Sequence, residues 1–382
     1  MNYTEEYAIY TPTLKSGEGW PVKINPSLGN FTYGFDRSAL EAFGLCAVSF
    51  CFFVLWDKGP GLSGRLNSEI WLKKELSIRG PGQINLGDRS CFDRKFFADE
   101  PLSAVVSKDA FFRAHGLRPS YIVIRDLKGD FALRGDKKVA VLLTYDASSG
   151  ALQKKSVTLE ALQARLVKNS NKKMKINKPL NYYETDLEKY LQITCKDTGA
   201  LFPGDCDMLL YDRQNLCRCI LEFKKTTQRD ATPLEGQSFL RHIDRDRSKY
   251  TRLNILRTAL AEREGRAIPF ATVFYSVKAG ENKIKIERIG PSLQLEGACT
   301  FAIGPDPVEN QRLILQKTME ICSRPTFPIG FPGRHPPRRG RAGRTGAPCG
   351  GERVKGGGEA LPEKPAQKKA RPEGSFLPAS PF

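Results

Sequence analysis

The sequence predicts an α/β protein with two folded regions and a disordered tail, on three observations. Apolar residues make up 40% of the 382 residues, enough for a core. Stretches that alternate with period 2 and stretches spaced at three and four residues follow one another along the chain. From Arg324 the composition changes: residues 324–382 hold 11 Gly and 11 Pro, a density of breakers that marks low-complexity disorder. The expected divisions are a mixed α/β region of unassigned role over 1–175, a second folded region over 176–323, and a basic tail over 324–382.

In the first region AFGLCAVSFCFFVLW (42–56) runs 15 residues without a charge. A membrane span needs about 20 apolar residues, so a buried helix or strand is expected instead. SYIVIRDL (120–127) and KKVAVLLTYD (137–146) read as strands and ASSG (147–150) as a turn. VTLEALQARLVK (157–168) reads as a helix, with Leu159, Leu162 and Leu166 on one stripe. KNSNKKMKINK (168–178) is a polar, basic connection, and the division between the two regions is placed there.

In the second region NYYETDLEKYLQ (181–192) reads as a helix capped by Asn181. CDMLLYD (206–212) and LCRCILEFK (216–224) are strands joined by a polar turn. Residues 234–262 are helical, with a break expected near Tyr250. PFATVFYSV (269–277) and KIKIERI (283–289) are strands around the hairpin signal KAGEN (278–282), and PVENQRLILQKTMEIC (307–322) is a closing helix with Pro at its start. No internal repeat is evident.

The net charge is +18, with +8 in the tail and +10 in the first 323 residues, so the body is basic in its own right. Such an excess speaks about partners, and nucleic acid is the commonest one. A membrane partner is not expected, because neither a basic amphipathic helix nor a lipidation motif is found. The tail fragment GRHPPRRGRAGRTG reads first as a solvated segment and second as an electrostatic clamp. The ten cysteines follow no framework and no secretory signal precedes them, so reduced thiols in a cytoplasmic protein, or a nuclear one in a eukaryote, are expected.

The chemistry-bearing stretch is PGDCDMLLYDRQNLCRCILEFKK (203–225). Side chains alternate across a strand. Cys206, Met208 and Leu210 then share one face, and Asp205 and Asp207 the other. In the second strand Cys217, Cys219, Leu221 and Phe223 share an apolar face, and Glu222 and Lys224 lie opposite, with Arg218 and Ile220. A short turn makes the strands antiparallel neighbours, so Asp205 or Asp207 comes beside Glu222 and Lys224. Clustered carboxylates repel unless something positive sits among them, and a hard divalent cation takes oxygen ligands of this type. Cys195, Cys206, Cys217 and Cys219 match no metal-ligand spacing and read as packed core thiols.

Asp207 before MLLYD, then a hairpin, then Glu222-Phe223-Lys224, resembles the PD-(D/E)XK superfamily of restriction-endonuclease-like nucleases. The resemblance covers roughly 100 residues, by a coarse element count. It implies a mixed sheet flanked by helices over 176–323, with a first core strand in 192–202. It also implies metal-dependent hydrolysis of phosphodiester bonds by an endo- or exonuclease, in DNA rather than RNA, with Mg²⁺ or in its place Mn²⁺. By that resemblance Asp207, Glu222 and the Phe223 carbonyl are metal ligands, Lys224 positions the attacking water, and Glu184 is an accessory acid with Glu188 as its rival. Asp205 resembles the extra acid of some branches. The literal Pro-Asp pair is absent, since the proline is Pro203, so the choice between Asp205 and Asp207 stays open. Asp207 is preferred because it abuts the apolar run.

The helix that follows carries Gln237, Arg241, His242, Arg245, Lys249 and Arg252 on a broad polar side, and Leu240, Ile243, Tyr250 and Leu253 on an apolar stripe. In the resembled fold this helix lies beside the active-site strands, so the polar side would contact phosphates, which set register rather than sequence; a solvated amphipathic face is the equal alternative. Two alternatives stand beside the nuclease: a non-catalytic nucleic-acid-binding protein of the same fold, and an α/β interaction protein in which the charges are incidental.

Overall fold

The computed structural model describes residues 37–56, 64–73, 102–124, 138–170, 198–226, 232–276 and 282–324, together with Phe35, Leu191, Thr194 and Cys195. Several expectations fall outside the described residues: the helix from Asn181 with Glu184 and Glu188, most of the 168–178 connection, most of the KAGEN turn, and the tail after Arg324.

Ten strands form one mixed sheet in the order β10-β9-β8-β7-β6-β1-β2-β3-β4-β5. They are β1 (Leu45–Trp56), β2 (Gly64–Lys73), β3 (Arg118–Ile124), β4 (Lys138–Asp146), β5 (Ala151–Thr158), β6 (Gly204–Asp212), β7 (Cys217–Thr226), β8 (Phe270–Ser276), β9 (Lys283–Ile289) and β10 (Leu295–Ala302). The helices are α1 (Arg37–Ala42), α2 (Leu102–Ala114), α3 (Leu159–Ser170), α4 (Phe239–Glu264) and α5 (Pro307–Ser323), with a 3₁₀ turn at Leu234–Gly236. The mixed α/β class is as expected. All the described residues belong to one unit within Met1–Phe327, and the sheet runs on across the expected division near residue 175 through the antiparallel β1–β6 pair.

That division has another meaning. On its N-terminal side the order is β1β2α2β3β4β5α3, and on its C-terminal side β6β7α4β8β9β10α5. The pairings repeat as well. β1–β2 and β6–β7 are antiparallel, β2–β3 and β7–β8 parallel, and the remaining neighbours antiparallel. Among the described residues the two halves therefore follow one topology, joined edge to edge at β1 and β6. The lead-in segments are exchanged. Leu40 of α1 packs in a core with Ile314 and Leu315 of α5, whereas Leu191 and Cys195, just before β6, pack with Leu162 and Leu166 of α3. The sequence shows no repeat because the halves share topology rather than residues.

The charge-free run 42–56 resolves as β1, a central strand buried over nearly its whole length. Strands covered on both faces read as continuous apolar runs rather than alternating ones. No helix among the described residues is long and apolar enough to cross a membrane. The helix expected from 157 begins at Leu159, because residues 151–158 form β5 against β4. The long helix shows no break at Tyr250. Ser238 caps it, accepting from Leu240 N at 3.3 Å, and Gly265 ends it at φ 63°. Tyr250 is fully buried between Phe239 and Phe270, and that packing carries the helix through. No strand forms among the described residues of 192–202; the neighbour of β6 is β1 instead.

Strict parity fails in β6 and β7, and the physical reason is two bulges. β6 gains a residue against β1 between Cys206 and Leu209, and β7 gains one against β6 between Cys217 and Cys219. Each extra residue reverses the alternation beyond it. Met208, Leu210, Cys219, Leu221 and Phe223 thus face the core under α1 and α5, whereas Cys206, Leu209, Tyr211, Cys217 and Ile220 join the core that holds the α4 residues Tyr250 and Leu253. The expected dry face and charged face are both core faces, with charge confined to one end. All eight described cysteines are free thiols.

Gly204 opens β6 where any Cβ would stand 2.4–2.8 Å from carbons of the Phe52 ring, too close for contact. Gly204→Ala is expected to cost ~1–3 kcal/mol by overpacking, read from the urea midpoint; an unchanged midpoint would contradict this packing.

Candidate active site

The β6–β7 turn sets which ends meet. Asp212 Oδ1 accepts from the N–H groups of Gln214 and Leu216, both at 2.9 Å, and Asp212 Oδ2 accepts from Arg218 Nε at 2.6 Å. Asn215 takes φ 60°, which asparagine tolerates better than most residues. With the turn locked, the start of β6 lies beside the end of β7, and Asp207 Oδ2 accepts from Phe223 N at 2.9 Å. α4, the crossover between β7 and the parallel β8, lies over this end of the sheet. Carboxyl ends of parallel strands are where open α/β sheets place their sites.

Asp205, Asp207 and Glu222 converge on one point, as the hairpin argument requires. That point is Lys249 of α4, whose Nζ lies 2.7 Å from Glu222 Oε1, 3.4 Å from Asp207 Oδ1 and 3.7 Å from Asp205 Oδ2. Lys224 Nζ sits alongside, 3.1 Å from Glu222 Oε1 and 3.0 Å from Asp246 Oδ2. It also lies over the Tyr250 ring, 5.5 Å from its centroid. Burial, the largest influence, disfavours the Lys224 charge, but Glu222, Tyr250 and Asp246 together outweigh it and the pKa is raised. Lys249 shows the same balance more strongly: burial opposes its charge, and Asp207, Glu222 and Asp205 hold its pKa well above the ordinary lysine value. Both ammonium groups are therefore charged at neutral pH. Burial pushes the Tyr250 hydroxyl up to about 12.

Do these residues fit a divalent cation? Among the described residues no three acid, histidine or cysteine groups stand at metal-holding separations, because the carboxylates surround an ammonium group instead. The donor set is nonetheless all oxygen, as Mg²⁺ prefers. Glu222 is 1% exposed and its Oε2 has no hydrogen-bond partner among the described residues. A buried carboxylate oxygen left without a donor is costly unless a ligand satisfies it. The residues fit the ion once Lys249 moves.

The other expected contacts are placed unevenly. Arg241 and Arg245 are exposed on α4; Arg241 donates to Thr232 Oγ1 at 2.8 Å, and Arg245 donates to Asp246 Oδ1 at 3.1 Å. His242 is half-buried, stacked on Phe274 and 3.1 Å from Arg245. Gln237 is only 8% exposed and donates to Thr232 O, and Arg252 donates to the carbonyls of Phe202 and Pro203. These two brace loops, and Lys249 faces the acids rather than a solvent surface. Asp246 and Glu287 also belong to the polar end. Glu287, 1% exposed, accepts from Phe239 N at 2.7 Å and Ser238 Oγ at 3.0 Å, fixing the start of α4. The spacing Asp246-x-x-Lys249 on one helix face is the signal for Asp246; Glu287 offers none, being an acid in an alternating strand.

The repeated topology supplies an internal comparison. On the same face in the first half, β1 and β2 carry Phe50 opposite Leu72 and Phe52 opposite Ile70, all buried in one core with Phe111 and Phe112 of α2. The fold is thus satisfied by hydrocarbon at this place, and does not itself demand charge there.

No family model, no curated protein and no solved structure matches this chain.

Burial first, then the Lys224 and Arg245 charges, lower the His242 pKa, and Asp246 opposes them. Removing Asp246 takes away a negative charge that favours the proton. Asp246→Asn is therefore expected to move His242 still further below 6.5 in an NMR pH titration; a rise would contradict the arrangement.

Proposed function

We propose that the protein is a metal-dependent nuclease that hydrolyses phosphodiester bonds, in DNA rather than RNA, at the end of β6 and β7. One observation carries the reading: Asp205, Asp207, Glu222 and Lys224 gather at one end of the sheet, whereas the β1–β2 pair of the twin half carries the apolar pairs Phe50–Leu72 and Phe52–Ile70 on this face. Buried like charges destabilise a core, so their presence where the topology tolerates Phe and Leu calls for a use.

Asp207 and Glu222 would hold Mg²⁺ or Mn²⁺, with Asp205 as a further carboxylate and the Phe223 carbonyl at the same strand end. Bound there, the ion would polarise the phosphoryl oxygen and lower the pKa of its water. Phe223 N–H fixes one Asp207 oxygen and leaves the other turned to the cluster. Lys224, charged and held between Glu222 and Asp246, orients the attacking water and stabilises negative charge at phosphorus; it is not a base in this state. Arg241 and Arg245 supply exposed cations beside the site for the flanking phosphates, in keeping with the net charge of +18.

A second reading, nucleic-acid binding without cleavage, is favoured by the neutralisation of the acids by Lys249. The two separate cleanly. Under the nuclease reading, Mg²⁺ or Mn²⁺ supports cleavage of linear or nicked DNA and EDTA abolishes it. Glu222→Gln, Asp207→Asn and Lys224→Met then each lower kcat by about a hundredfold or more, with DNA affinity retained. Binding with no cleavage under either metal would favour the second reading, and cleavage that survives EDTA would end the first. Arg241→Ala and Arg245→Ala are expected to weaken binding to all sequences alike, each reducing the salt slope by about 1. A sequence-selective loss would contradict phosphate contact.

A further inference from the structure

Lys249 does not behave like a residue of the binding face. Its ammonium occupies the centre that the three carboxylates define, closer to Glu222 (2.7 Å) than Lys224 is (3.1 Å). The two lysines are held differently. Lys224 is pinned from two sides by Glu222 and Asp246 and lies against the Tyr250 ring. Lys249 comes from α4 on a flexible four-carbon stem, and its side chain is 27% exposed against 18% for Lys224, so part of that stem reaches the surface although its ammonium faces the acids.

We propose that Lys249 is an exchangeable internal counter-ion: it offsets part of the charge of Asp205, Asp207 and Glu222 while no cation is bound, and a divalent cation displaces it to solvent. The inference rests on the reading of this cluster as a cation site and adds how that site is regulated. Without a cation, a buried Glu222 beside Asp207 would repel it, and α4 would lose its hold on the sheet end. With a divalent ion among the carboxylates, an ammonium a few ångströms away meets like charge and leaves. The orphaned Glu222 Oε2 fits this picture, because a monovalent donor reaches only one oxygen of a carboxylate that a metal could hold by both. Occupancy by Lys249 also sets the apparent metal affinity, since only the fraction of molecules with the lysine out can bind. The site would then stay closed to weakly held or scarce ions.

The test needs no turnover. Lysine acetylation with acetic anhydride, read by mass spectrometry on the full-length protein, compares Lys249 with the exposed Lys168 of α3. In EDTA, Lys249 should react several-fold more slowly than Lys168. In saturating Mn²⁺ its reactivity should rise toward that of Lys168. In parallel, calorimetry should show Mn²⁺ binding Lys249→Gln roughly tenfold more tightly than the wild type, with Lys249→Arg showing no gain. If Mn²⁺ binds the wild type while Lys249 stays protected and Lys249→Gln gains nothing, the counter-ion inference falls and the cation site stands. If Mn²⁺ binds neither wild type nor variant, both fall. The labelling arm uses unmutated protein, so a variant that fails to fold does not spare the proposal.

Discussion

The antiparallel ladder between β1 and β6 is the contact on which both halves of the molecule depend. It joins two sheets of five strands into one of ten, and so places each half's innermost strand where both faces are covered. The exchange of lead-in segments follows from it. With β1 and β6 side by side, α1 reaches the C-terminal half and the segment before β6 reaches the N-terminal half. Neither half would keep its full core alone. The ladder also carries a bulge between Cys206 and Leu209, next to Asp207, which alters the strand alternation at the start of β6. The join between the halves and the shape of the candidate site are therefore parts of one strand pairing.

At that end of the sheet the balance of forces changes from hydrophobic burial to charge compensation. Glu222 is almost wholly buried, and burying a charge is costly unless an opposite charge stands beside it. Two lysines answer it, from different elements. Lys224 comes from the same strand as Glu222, and Lys249 from the crossover helix. The helix is itself tethered by Glu287, whose carboxylate takes the N–H of Phe239 and the hydroxyl of Ser238. The position of Lys249 is thus set from β9, two strands away. The two halves share a topology and differ at this hairpin, where β1 and β2 pair Phe50 with Leu72 and Phe52 with Ile70 and the β6–β7 pair carries the acids.

The sequence made the hairpin and its charged end legible because the relation is local. A short turn between 212 and 217 forces Asp207 and Glu222 together whatever the rest of the chain does. Relations between distant segments were not legible. The bulges are register events, and the one in β6 arises against β1, more than 150 residues earlier. Lys249 shares a polar helix side with Arg245 and Arg252, and nothing local says that it turns inward while Arg252 grips the Phe202 carbonyl. The 42–56 run is compatible with a helix or a strand until its neighbours are known, because a strand buried on both faces loses its alternation. The repeat is hidden for a related reason: the Phe50–Leu72 pair of one half and the acids Asp207 and Glu222 of the other lie in hairpins that share a topology and no chemistry.

Crystals of the full chain soaked in Mn²⁺, with data collected at the manganese absorption edge, address the carboxylate cluster directly. An anomalous peak bonded to Asp207 and Glu222, at about 2.0–2.4 Å from their oxygens and with Lys249 turned away, is the expected result. A map with no peak there, and the Lys249 ammonium still bridging Glu222, Asp207 and Asp205, would show that the acids are held for structure alone.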